Sequence, residues 1–269
     1  MTRGYLDRPG CRVYYEVTGA GPMLVFAHGL GGNHLSWWQQ VPHFHDRYTC
    51  VTFSHRGFAP SSPVADGPDP ADYAGDLAAL VDHLASGEIR IVAQSMGGWS
   101  ALEYALANPA RVRALVLAST AGPIARAPSL FGDPAQMPGW ERTAADAAAA
   151  MQANDIHVAA GERMAREQPA AHFLYQRIDA LSGVDKLKLR QRLAASLTRP
   201  PEVLRGLDVP TLWLTGAEDF VYPPFLSDIL ARMMPKAEVA QVAKAGHSVY
   251  FERPAEFNRI VDAFLARHP

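Results

Sequence analysis

Cysteine is almost missing from this chain of 269 residues, which has only Cys11 and Cys50. Two thiols cannot staple a chain of this length into a disulfide framework, so apolar burial must hold the core, and a reducing, cytoplasmic setting is expected. Cys50 lies in the apolar run 48–53 and reads as a buried, unreactive thiol. Long apolar runs are missing too. No stretch approaches the roughly 18 residues of a membrane-spanning helix. Residues 1–10, with Arg3, Asp7 and Arg8, lack the apolar centre of a signal peptide. Neither sign of charge is in excess, with 25 Lys and Arg against 27 Asp and Glu. Nucleic acid and anionic membranes both want a basic face, so neither is an expected partner. The ten histidines form no metal-spaced pair, which leaves a zinc or two-metal site without support. No metal and no cofactor is expected.

What is present is enough apolar residue, 48% of the chain, for one large core with a small accessory lobe. Its order alternates. Short β-rich runs at 12–17, 23–27, 49–53, 89–93 and 112–118 predict strands, several of them apolar throughout, as suits strands buried on both faces. A short helix is expected over 36–44. Leu77, Leu80, Val81 and Leu84 recur at helical spacing and predict a helix over 69–84 with Asp69 as N-cap; another follows over 96–107, before Pro109. The rhythm breaks at Gly122. Residues 123–201 hold no convincing strand, a loop-like tract at 132–139 and helical patterns at 143–152, 157–167, 170–181 and 186–197. Strand and helix then resume at 209–215, 224–234, 238–242 and 254–267. The fold class is therefore α/β: a mainly parallel sheet with helices on both faces and an inserted helical cap. Residues 1–122 and 202–269 form the core domain, and 123–201 the insertion.

Four short segments carry chemistry, each where a predicted strand ends. In I-R-I-V-A-Q-S-M-G-G (89–98) a strand meets a serine between small residues and a helix follows at once, the context of a nucleophile elbow. Ser95 is the candidate nucleophile, with Ala93 and Gly97 as its small flanks; an N-cap is its bland role. In V-F-A-H-G-L-G-G (25–32) a strand ends in a glycine-rich loop. Such a loop brings a backbone N–H close to a developing negative charge. The N–H groups of Leu30 and Met96 are the candidate oxyanion donors. A phosphate loop is excluded, since neither G-K-[ST] nor G-x-G-x-x-G is present there. His247 in K-A-G-H is the candidate base. The acid should precede it after a strand, and G-A-E-D (216–219) offers Asp219 and Glu218.

With H-G-L-G-G at 28–32, S-M-G-G at 95–98, G-A-E-D at 216–219 and G-H-S at 246–248, the chain resembles the α/β-hydrolase superfamily, in its branch of small bacterial capped serine hydrolases. The resemblance covers nearly the whole chain and favours Asp219 over Glu218. It implies an acyl-enzyme formed on Ser95 and released by water. The expected activity is hydrolysis of a small carboxylic ester or lactone, with perhydrolase or cofactor-free haloperoxidase turnover as a side reaction. Enol-lactone hydrolases are close in kind. A C–C bond hydrolase acting on ring-cleavage vinylogous diketones is the alternative. A low-turnover ligand-binding protein on the same fold is a second, against which an intact triad argues. A small molecule is the expected partner, and a homo-oligomer stays open. The chain departs from the family at S-H-R-G-F-A-P-S (54–61), where Ser54 stands for the usual Asp and Ala59 for Gly, and at Ala93, where G-x-S-x-G has Gly.

Other residues read as structural. His28 is expected to hydrogen-bond rather than catalyse. One of Trp37 and Trp38 is expected in the core and the other is the candidate to reach the pocket, while Trp99 packs the elbow helix. Tyr250 and Phe251 should brace His247. Asp72, Asp76 and Asp82 look like the solvated face of one helix. Arg177, Lys186, Lys188, Arg190 and Arg192 look like the charged surface of the cap. Met151, Met164, Phe173, Leu174 and Leu181 are its apolar candidates for lining a pocket.

Overall fold

The structure, a computed structural model, describes residues 1–85 and 87–269. Its strands are β1 (Thr2–Arg8), β2 (Cys11–Thr18), β3 (Met23–Ala27), β4 (Thr49–Phe53), β5 (Ile89–Gln94), β6 (Val112–Ala118), β7 (Thr211–Gly216) and β8 (Ala237–Val242). They form one sheet in the order β1-β2-β4-β3-β5-β6-β7-β8. β1, β2 and β4 pair antiparallel, and every pairing from β4 to β8 is parallel. The α-helices are α1 (Val41–Phe44), α2 (Tyr73–His83), α3 (Gly97–Ala107), α4 (Gln136–Ala153), α5 (Gly161–Glu167), α6 (Pro169–Ala180), α7 (Lys186–Ala195), α8 (Pro224–Ala231), α9 (Val249–Glu252) and α10 (Pro254–Ala266).

The apolar strands are buried on both sides because each face has its own helices. Val25, Ala27, Ile91, Leu115 and Trp213 pack with α2, α3 and α8. Their neighbours Leu24, Phe26, Val92, Val116 and Leu214 point the other way and pack with Phe257, Val261 and Phe264 of α10. A period of two along each strand thus feeds two cores. Both cysteines are buried, and burial pushes the Cys50 thiol up to about 12.

Three local expectations are corrected. Strand β1 lies in the polar N-terminus, where none was foreseen. It is an edge strand that pairs only with β2, across a turn at Gly10, so no side of it is continuously apolar. The single helix over 36–44 is instead a 3₁₀ turn, His34–Trp37, followed by α1. The tract 132–139 is not all loop: α4 already begins at Gln136 and takes Pro138 into its first turn, where a missing N–H costs nothing.

Between β6 and β7 lie α4–α7. The chain leaves and re-enters the sheet domain at one place, where Ala125 N–H donates to Arg199 O at 2.8 Å and Arg199 N–H to Pro123 O at 3.0 Å. Asp76, expected in solvent, is buried. Arg56 Nη2 and Nε each reach its carboxylate at 2.6 Å, and Arg8 Nε reaches it at 2.9 Å. A buried guanidinium needs a countercharge, and α2 supplies it. Asp82 is exposed as expected, paired with Arg111 at 2.6 Å.

Candidate active site

The strand order reverses at β3, with β4 added on one side of it and β5 on the other, and the crevice at the carboxyl ends of the strands at such a switch point is where this kind of sheet places its ligands. All four sequence segments arrive there. Leu30 follows β3, Ser95 follows β5, Asp219 follows β7 and His247 follows β8.

Ser95 sits at φ +50°, a backbone conformation that non-glycine residues rarely hold, in the one-step turn from β5 to α3. Its N–H donates to Ala118 O at 3.0 Å, which ties the turn to β6. The need for a small residue at 97 is steric: a Cβ there would lie 2.2 Å from Ala27 O. Ala93 is buried in register with Ala27 and Leu117, so a methyl fits where the family has glycine.

His247 is buried. Its Nδ1 lies 2.9 Å from Asp219 Oδ2 and 3.1 Å from Oδ1. Asp219 Oδ1 also accepts the N–H groups of Val221 and Tyr222, both at 2.8 Å. The carboxylate is thus fixed by its own loop, and a proton on Nδ1 leaves Nε2 free to act as a base. The acid and histidine loops touch at Gly216, where a Cβ would lie 2.1 Å from Gly246 O. Glu218, the competing acid, is turned away. Arg163 grips it at 2.7 and 2.9 Å, and that hydrogen bonding holds its carboxyl below the usual range.

Ser95, His247, Leu30 and Met96 all line one cavity of about 630 Å³ between the sheet and the helices α4–α7. Neither the Leu30 nor the Met96 N–H is taken by another described residue. His28 is structural: its Nδ1 meets Gly29 O at 2.8 Å and its Nε2 accepts from His55 N–H at 2.9 Å. Burial lowers its pKa to about 3, so the ring is neutral. Ser54 keeps its loop without a charge, its Oγ accepting the His34 N–H at 3.2 Å and donating to Ala59 O at 3.3 Å.

Several lining assignments change. Trp37 is core, against Phe26 and Tyr250, and Trp38 is exposed against Phe251; neither lines the cavity. Trp99 does, with its Nε1 held by Ser196 Oγ at 2.7 Å. Met151 and Met164 are buried elsewhere, and Phe173, Leu174 and Leu181 face solvent. In their place Ile156, Val158, Leu193 and Leu197 line the cavity, together with Lys186 and Arg190 from the supposed charged surface.

Two contributors had no sequence signal strong enough to single them out. Glu252 is buried and accepts the Gly246 N–H at 2.7 Å and the Ser248 N–H at 3.0 Å, so its carboxylate brackets His247 from both sides. Burial raises its pKa to about 7. The clue available was a lone acid closing the apolar run Val249–Glu252. The second is Tyr175 of α6, whose OH accepts Ser248 Oγ–H at 3.0 Å and ties the helical segment to the histidine loop.

The family model of the alpha/beta hydrolase fold matches residues 22–254, and the chain belongs to that family. Among its relatives, BpoC of Mycobacterium tuberculosis (strain CDC 1551 / Oshkosh), which carries the name of a non-heme bromoperoxidase, is 30% identical over 262 residues, covering 94% of this chain and 97% of that one. The 3-oxoadipate enol-lactonase 2 of Acinetobacter baylyi is 29% identical over 271 residues, covering 91% and 89%. A solved thermophilic esterase of Thermogutta terrifontis has the same fold, with a TM-score of 0.79 at 22% identity and full coverage of both chains.

Proposed function

We propose that the protein hydrolyses small carboxylic esters or lactones through an acyl-enzyme on Ser95. The observation that carries this is the conjunction of a serine on a left-handed turn with a carboxylate-held histidine, both lining one cavity. Ser95 Oγ attacks the substrate carbonyl carbon as its proton passes to His247 Nε2. The carbonyl oxygen becomes an oxyanion and takes the N–H groups of Leu30 and Met96. Collapse breaks the C–O bond, and the imidazolium returns its proton to the departing alkoxide. Water then attacks the acyl carbon, His247 takes the water's proton, and Ser95 leaves as the hydroxyl with the acid as product. Asp219, held against Nδ1, stabilises the imidazolium. Helices α4–α7 act as a cap that encloses a small-molecule substrate.

The enol-lactonase name of one relative and the esterase name of a structural neighbour support this substrate class. The test is kinetic. Ser95→Ala should lower kcat on p-nitrophenyl esters by about 10⁴–10⁶, since members of such a triad act as a unit. A loss of less than about tenfold would reject Ser95 as nucleophile.

A further inference from the structure

Four residues with lysine, arginine or carboxylate side chains line the cavity: Asp179, Lys186, Arg126 and Arg190. The first two neutralise each other, with Lys186 Nζ 2.5 Å from Asp179 Oδ2. The two arginines have no hydrogen bond or ion pair with any described residue. Arg126 lies in the loop that leaves β6, at the start of the helical segment. It is exposed and lines the cavity, and desolvation by the surrounding protein lowers its pKa. The titratable groups that act on it are Glu141, Asp219 and Tyr222, whose phenol burial keeps protonated. Asp219 is committed to His247 and to two backbone N–H groups. Glu141 makes no ion pair with it.

Arg56 shows how this fold treats a buried guanidinium that serves structure: it pairs with both Asp76 and Asp72. Arg126 is exposed and has no carboxylate partner among the described residues. Exposed to water, the guanidinium needs no counter-anion to stay charged, but the largely apolar cavity it lines strengthens its hold on one, and the protein does not supply one. The ligand can.

We infer that the substrate carries a carboxylate, and that Arg126 binds it while the ester or lactone carbonyl lies at Ser95, with Arg190 as a second cation lining the same cavity. Guanidinium matches carboxylate in a planar fork, so the contact fixes orientation as well as charge. This inference rests on the ester or lactone reading of the site and narrows it to acidic substrates.

Two pairs of esters test it. Mono-p-nitrophenyl glutarate against p-nitrophenyl valerate puts the charge on the acyl side; 4-acetoxybenzoate against phenyl acetate puts it on the leaving group. In at least one pair the anionic ester should have the higher kcat/KM, by about 10–100-fold, the range of one charge-assisted contact. Arg126→Gln should reduce that preference by about tenfold or more, and Arg126→Lys, which keeps the charge without the fork, should retain part of it. Preference for the neutral ester in both pairs, or a preference unmoved by Arg126→Gln, would overturn the inference. A second readout needs no turnover: glutarate should raise the melting temperature of the wild type and not of Arg126→Gln. If no ester is hydrolysed but this shift is seen and lost in the variant, the anion site stands and the hydrolytic reading falls. If esters are hydrolysed and glutarate shifts both proteins equally or neither, the anion site falls alone.

Discussion

At the scale of single residues, the site depends on which atoms are already committed. Asp219 has three partners, His247 among them, and Glu218 is held by Arg163, so the two adjacent acids differ completely in what they touch. Asp219→Asn should fold normally and lose about 10⁴ in kcat, because the amide favours the wrong imidazole tautomer. Glu218→Gln should keep kcat within about threefold, since it disturbs a half-exposed pair of small energetic weight. Steady-state kinetics of both variants decides between them, and the reverse result would reassign the acid. These residues were legible in the sequence because each sits within a few positions of a strand end, so the motif and the element predict one another. Arg126 and Asp76 were not. The first is marked only by partners it lacks, and the second by Arg56 and Arg8, which lie 20 and 68 positions away.

At the scale of elements, α9 is the smallest helix with a role in the site. It carries Glu252 back beneath the loop it follows and so fixes the main chain on both sides of His247. Protonation of Glu252 turns one acceptor into a donor and releases one of the two N–H groups. Its pKa is raised to about 7, with Asp219 and Arg253 as charged neighbours. The sign follows from burial. The folded state holds this proton more tightly than the unfolded chain, so Glu252 favours folding below its ordinary carboxyl range, and that contribution is lost as pH rises through about 7. Activity runs the other way, since the bracket is complete only when the carboxylate is ionised. Glu252→Gln should lower kcat by about 10–100-fold with KM little changed, the effect expected of a misplaced catalytic group. The acidic limb of log kcat against pH should be steeper in the wild type than in the variant, because two protonations become one. Equal slopes with unchanged kcat would make Glu252 merely structural. The residues expected to line the cavity were misassigned for a related reason. Periodicity shows that α4–α7 have apolar faces, but which face meets the cavity is set by tertiary packing. Met164 went to the core and Leu193 to the cavity wall.

At the scale of the molecule, a parallel sheet with two cores leaves one free edge of loops, and that edge is where the four segments meet. The alternation of short apolar strands with helices made this architecture readable, because central strands such as β3 and β6 are buried on both faces and show it in five consecutive positions. The antiparallel edge strand β1 was invisible for the opposite reason, being mostly exposed. Closure by α4–α7 produces the cavity, and Tyr175 and Trp99 join that segment to the histidine loop and to α3. The central claim is that this edge holds a serine made nucleophilic by His247. Treatment of the whole protein with a fluorophosphonate probe, followed by digestion and peptide mass mapping, tests it most directly. The adduct should fall on Ser95, form at a rate that drops when Asp219 is replaced by Asn, and be absent from Ser95→Ala. Labelling that persists in Ser95→Ala, or that maps to another residue in the wild type, would contradict the claim.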